Sequence, residues 1–219
     1  MNKQMKPILF NTAMVRAIMD GRKTVTRRLI KQQPIDSGDC KHELQTFREI
    51  IPECYPDDYS AACRKCGYGV CPSGESIYKP PCVPGDVLYV RETWGYDKNI
   101  WLYKADFSTA DLDRIASITK WRPSIHMPKE AARIFLRVTN VRVERLQDIT
   151  PEQIDAEGCK EYAYDAETGE LKPSSAAWFK ILWDSTIKYK EIHLYGWDAN
   201  PWVWVIEFER ISREEAHHE

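Results

Sequence analysis

One eight-residue switch, Gly21-Arg22-Lys23-Thr24-Val25-Thr26-Arg27-Arg28, constrains the fold of this chain more than any other stretch. Just upstream, Met14 and Ile18 stand one helical turn apart, and the spacing predicts a short amphipathic helix over residues 12–20. Gly21 falls where that helix must stop, because glycine takes the left-handed conformation without a Cβ penalty. Thr24, Val25 and Thr26 then follow, and β-branched side chains suit a strand. The chain therefore passes from helix to strand within a few residues, carrying cations and hydroxyls. Such a segment, held between two rigid elements, is a good place to seat a polar ligand.

The rest of the chain reads as short, non-repeating strands with a few helices between them. Pro7-Ile8-Leu9-Phe10 predicts a first strand, and the strand after the switch runs through Leu29 and Ile30. Periodicity collapses over residues 32–84, a stretch that holds six of the seven cysteines. Pro84-Gly85-Asp86 is a turn signal, followed by a strand over residues 87–92 and a hairpin partner at 100–104. Residues 133–146 form a long extended run in which Ile134, Leu136 and Val138 alternate with Arg133, Phe135 and Arg137. Thr150-Pro151-Glu152-Gln153 combines an N-cap threonine, proline at the first helical position and a capping-box glutamine, opening a helix that ends near Glu157. A helix over 174–188 is expected to bury Trp178, Ile181, Leu182 and Trp183. The last strand, 202–211, alternates Trp202, Trp204, Ile206 and Phe208 against Val203, Val205, Glu207 and Glu209. This pattern predicts an α+β fold: a mixed β-barrel with flanking helices, one domain over 1–219, and a cysteine-rich insertion at 32–84.

Composition narrows the function classes. Eight tryptophans and a 43% hydrophobic fraction exclude a disordered chain. No apolar run approaches bilayer length and residues 1–7 hold no apolar signal core, so neither a membrane partner nor secretion is expected. An odd set of seven cysteines fits a reducing cytoplasm better than a disulfide framework. A net charge of −2 argues against non-specific coating of duplex nucleic acid and favours a local pocket.

Several motifs, in order along the chain, carry a family resemblance. Gly21-Arg22-Lys23-Thr24-x-Thr26-x-Arg28, Pro84-Gly85-Asp86-x-Leu88-x-Val90-Arg91-Glu92 and the Ala156-Glu157-Gly158 helix end resemble the ASCH domain, a PUA-like β-barrel family. Trp121-Arg122-Pro123-Ser124-Ile125-His126-Met127-Pro128, Trp183-Asp184 and Asn200-Pro201-Trp202-Val203-Trp204 are similar to a subgroup common in phages and prophages, so the expected location is the cytoplasm of a bacterial host. The resemblance covers most of the chain outside the insertion. It implies a cleft for RNA or a nucleoside and, by likeness to the small bacterial members, hydrolysis of the acetyl amide of N4-acetylcytidine. It further implies a catalytic set of Lys23, Thr26 and Glu157, with no catalytic cofactor.

Residue chemistry is compatible with that set. A threonine hydroxyl is inert until a base takes its proton, and a lysine is that base only if burial or nearby cations lower its pKa. Arg22, Arg27 and Arg28 are such cations, and Glu157 can carry a proton to the leaving nitrogen. Arg22, Thr24 and Arg28 are the remaining candidate ligand contacts of the segment. Geometry imposes one condition: in a continuous strand Lys23 and Thr26 point to opposite faces, so Lys23 must lie in the turn after Gly21. The alternative is a solvated edge whose charges discourage strand pairing.

Three further groups stand out. In the Trp121 to Pro128 loop, Arg122, Ser124 and His126 suit stacking on an unpaired base and reading its edge, while Trp121 and Met127 suit plugging the barrel mouth. Arg91 and Glu92 alternate at a strand end and are either site residues or a structural ion pair. Cys63-x-x-Cys66 with Cys71 and Cys82 can close a structural zinc tetrad, with Cys40, His42 and Cys54 in reserve; the alternative is a set of uncoordinated thiols. The function expected is binding of a modified pyrimidine nucleoside with amide hydrolysis. The alternatives are non-catalytic binding of single-stranded RNA and, behind it, a metal-dependent ribonuclease.

Overall fold

The computed structural model describes residues 5–31, 80–116, 119–159, 163–164, 171–172 and 176–218. Strand β1 (Lys6–Leu9) leads into helix α1 (Thr12–Met19) and strand β2 (Val25–Leu29). Strand β3 (Val87–Arg91) is followed by a hairpin of β4 (Trp94–Asp97) and β5 (Ile100–Tyr103), then helix α2 (Thr109–Ala116). The long strand β6 (Phe135–Arg145), helix α3 (Pro151–Ala156) and short strands β7 (Ala163–Tyr164) and β8 (Leu171–Lys172) come next. Helices α4 (Ala176–Thr186) and α5 (Ile192–Tyr195), strand β9 (Trp202–Ile211) and helix α6 (Arg213–His218) complete the chain.

Five strands form one sheet in the order β1-β3-β6-β9-β2. β1 and β3 run parallel and the other three pairings are antiparallel, so the fold is α+β with a mostly antiparallel sheet. The expected barrel does not close among the described residues, because edge strands β1 and β2 do not pair. Pro7 in β1 has no N–H to add to a further ladder, as suits an edge. A side chain bridges the seam instead: Arg28 Nη2 donates to the Leu9 carbonyl at 2.8 Å. Between the two edges lies a pocket of about 530 Å³, walled by Ile8, Leu9, Ile30, Leu88 and Trp204, with Arg28 on its border.

Apolar residues line both faces of the central strands. Leu88, Val90, Leu136, Val138, Trp204, Ile206 and Phe208 pack with Phe10, Val15 and Ile18 on the α1 side. Val25, Val203 and Val205 pack on the other side with Leu146, Ile154, Phe179 and Trp183, under α3 and α4. The alternation read in β9 thus holds, with both faces covered over residues 203–206 and Glu209 exposed. Helix α4 departs from expectation. Trp183 is buried, but Phe179 is its buried partner four residues earlier, while Trp178 and Ile181 are exposed at 36% and 58%. Residues 179 and 183 share one helical stripe, and 178 and 181 fall outside it.

Candidate functional site

The condition set on Lys23 is met by the way α1 ends. Asn11 caps its start by accepting from the Met14 N–H, and Gly21 takes φ +73° just past its end. The Arg22 N–H then bonds the Ala17 carbonyl at 2.8 Å and the Gly21 N–H bonds the Ile18 carbonyl at 3.0 Å, the paired bonds of a Schellman stop. Lys23 therefore lies in the turn before β2 begins its pleat at Val25.

Its side chain is fully covered and lies over the Phe10 ring, 5.4 Å from the centroid. Lys23 Nζ donates to Glu157 Oε2 at 2.6 Å, to the Glu157 carbonyl at 2.9 Å and to the Val25 carbonyl at 2.8 Å. Burial pulls the amine below the ordinary lysine range, Glu157 opposes this, and the Arg28 charge adds to the lowering. Three acceptors match the three donors of an ammonium, so the group at rest is charged and paired.

Glu157 is delivered by the C-terminus of α3. Thr150 and Gln153 form the expected capping box at the other end of that helix, and Glu157 is its C-cap. The Thr24 N–H bonds the Ala156 carbonyl at 2.9 Å and ties the switch to the helix end. Gly158 follows with φ +85°, and a Cβ there would stand 2.7 Å from Ala17 Cβ and 3.1 Å from Lys23 Cβ. Only glycine lets α1, the Lys23 turn and the Glu157 turn come this close.

The second carboxylate oxygen of Glu157 faces Arg27, whose Nη1 stands 3.5 Å away. Arg27 is buried, and its Nη2 also donates to Gln153 Oε1 at 2.6 Å and Glu144 Oε2 at 3.1 Å. Arg142 in turn pairs with Glu144 and Glu207. Thr26 is buried and shares with Glu157, Arg28, Met14, Phe179 and Trp183 the lining of a cavity of about 70 Å³. Arg28 also borders the seam pocket and lies 5.1 Å over Phe10; burial lowers its pKa. Arg22 is pinned to Asp20 and to the Gly158 carbonyl, and Thr24 is exposed.

The other predicted contacts form a second group, held by its own bonds. Arg91 Nε donates to the Met127 carbonyl at 2.8 Å and its Nη2 reaches the Ile125 carbonyl, so Arg91 braces the 121–128 loop. Glu92 is buried and pairs with Arg133 rather than Arg91, at 2.9 Å. Arg133 also binds Asp106 and covers the Tyr103 ring at 3.9 Å, while burial raises the Glu92 pKa. The ion pair that is one alternative for Glu92 is made with Arg133 in place of Arg91. Arg122 and Trp94 exchange backbone bonds, and the Arg122 guanidinium lies 4.9 Å over the Trp94 ring. Ser124 and His126 share one 3-10 turn, with Ser124 half-buried and His126 exposed. Met127 is buried against Trp94 and Ala131 under the β4–β5 hairpin, with no closed barrel mouth to plug among the described residues, and Trp121 packs on Phe107.

Of the cysteine tetrad, Cys63, Cys66 and Cys71 lie outside the described residues, as does the rest of the insertion over residues 32–79. Cys82 is buried, and its thiol is pushed up to about 12 by desolvation, with Asp86 adding to the shift. Among the described residues no group of three or more His, Cys, Asp or Glu side chains is arranged to hold a metal ion. Among them, too, no helix is long and apolar enough to cross a membrane. Sequence reasoning undervalued Arg27 and missed Arg133. Arg27 had a readable signal: it stands between Val25 and Leu29 at strand spacing, so it faces the helices rather than solvent.

Comparison of the chain with protein-family models, with curated proteins and with solved structures returned no significant match.

Proposed function

We propose that this chain is an ASCH-type, PUA-like protein that binds a modified pyrimidine nucleoside and hydrolyses the exocyclic amide of an N4-acetylcytidine-type substrate. The observation that carries the reading is the buried Lys23 amine, 2.6 Å from the Glu157 carboxylate, with Thr26 on the wall of the cavity that Glu157 also lines. Buried lysines and carboxylates in a strong mutual field are the usual raw material of proton transfer. In this scheme Lys23 passes one proton to Glu157, and the neutral amine takes the proton of Thr26 Oγ1 as that oxygen attacks the acetyl carbonyl. Glu157 then protonates N4 as the carbon–nitrogen bond breaks, and water releases acetate from the threonine ester. The nucleoside body sits in the seam pocket of about 530 Å³, within the range of about 300–1,000 Å³ common for small-molecule sites. Arg28 borders both spaces.

The second reading is non-catalytic binding of single-stranded RNA. One observation favours it: all three donors of Lys23 are already satisfied, as in a structural ammonium. The deciding experiment is incubation with N4-acetylcytidine and chromatography of the products. Hydrolysis yields cytidine and acetate, and Thr26→Val, which keeps shape and loses the hydroxyl, abolishes the yield while leaving the fold intact. Binding without release of acetate supports the second reading and ends the first.

A further inference from the structure

The hairpin of β4 and β5 carries four aromatic rings on one face. Tyr96 pairs with Trp101 and Trp94 with Tyr103, and strand alternation places all four on the same side. The inner end of the row is closed, with Trp94 buried against Met127 and Ala131, and Tyr103 under Arg133. The outer end is open: Tyr96 is 44% exposed and Trp101 is half-buried. Their rings stand 4.5 Å apart, and Trp101 lies 5.3 Å from Trp94. The open end is therefore a fixed aromatic surface, with its rings held by one another.

Cations border it. Lys98 occupies the hairpin tip, and Lys120 and Arg122 lie on the segment that bridges to Trp94; all three are exposed. None of the three makes an ion pair among the described residues. Asp97 alternates to the opposite face of the hairpin, away from the rings. Two indole N–H donors, those of Trp94 and Trp121, are buried without an acceptor among the described residues and flank the same bridge. Planar rings, an exposed guanidinium already stacked on an indole, and uncompensated positive charge form the combination that receives unpaired bases and their phosphates.

We infer that this face is a stacking platform for single-stranded RNA, with Tyr96 and Trp101 holding an unpaired base and Lys98, Lys120 and Arg122 meeting the adjoining phosphates. It locates the strand contact of the RNA-binding reading and rests on that reading; it uses none of the Lys23 machinery. The test is fluorescence anisotropy of the full-length protein with a labelled ten-nucleotide oligoadenylate and with an abasic strand of equal length and charge. The oligoadenylate binds about tenfold or more tightly than the abasic strand, in line with what one stacked base contributes. Tyr96→Ala removes most of that preference, whereas Arg122→Ala weakens the binding of both strands alike. Tyr96 is exposed, so its variant keeps the wild-type melting temperature. Equal affinity for the two strands, or a preference that survives Tyr96→Ala, overturns the platform while leaving RNA binding standing. Absence of binding to either strand removes the RNA-binding reading as well.

Discussion

Lys23 is the residue on which the proposed chemistry turns, and its energetics are separable from activity. A lysine and a glutamate taken out of water together are held by their mutual attraction, and removing one partner leaves the other charge uncompensated. Glu157→Ala should therefore cost about 3–5 kcal/mol of unfolding free energy in a urea titration. The double variant Lys23→Met/Glu157→Leu, which removes both charges and keeps apolar volume, should recover most of the loss. If the single and double variants are equally unstable, packing rather than charge pairing dominates the site. Arg27 belongs to the same account, because its guanidinium holds the oxygen of Glu157 that Lys23 does not.

Two helix ends bring this site together: the stop of α1 at Gly21 and the stop of α3 at Gly158. Gly158→Ala is the sharpest probe of that convergence, since the new Cβ meets Ala17 Cβ at 2.7 Å in a backbone region that disfavours side chains. The backbone term alone is about 1–3 kcal/mol. A lower melting temperature together with loss of hydrolysis is expected, measured by thermal unfolding and product assay. An unchanged melting temperature would show that the two turns have room to separate. These element ends were readable in advance, because caps and stops are local chemistry: Gly21, Thr150 and Gln153 each act within a few residues of themselves. The face of α4 was not readable. Trp178, Phe179, Ile181, Leu182 and Trp183 give a wide apolar arc, and only the position of the sheet selects the Phe179–Trp183 stripe.

Closure of the sheet is a long-range property, and local patterns carry little of it. An apolar run identified β1, β-branched residues β2 and alternation β9, yet whether β1 meets β2 depends on edges that no short window contains. Among the described residues the outcome is an open seam bridged by Arg28, with an apolar pocket behind it. The pairing of Lys23 with Glu157 spans 134 positions, and only a family resemblance put the two in one set beforehand. The aromatic face of the β4–β5 hairpin went unread for a related reason: its rings look like core until cross-strand register shows which end is open.

The measurement that bears most directly on the proposal is kcat/KM for N4-acetylcytidine as a function of pH, in the wild-type protein and in Lys23→Ala. Burial lowers the Lys23 pKa from its ordinary value of 10.5, and the scheme runs on the one proton that Lys23 and Glu157 share. The wild-type rate should therefore fall with rising pH along a limb centred below 10.5, as Lys23 loses that proton and Glu157 has none to give N4. In the variant that limb should vanish, with activity lower by at least about a hundredfold, the usual contribution of a positioned general base. A wild-type profile without that limb, or a variant that retains it, would contradict the role given to Lys23.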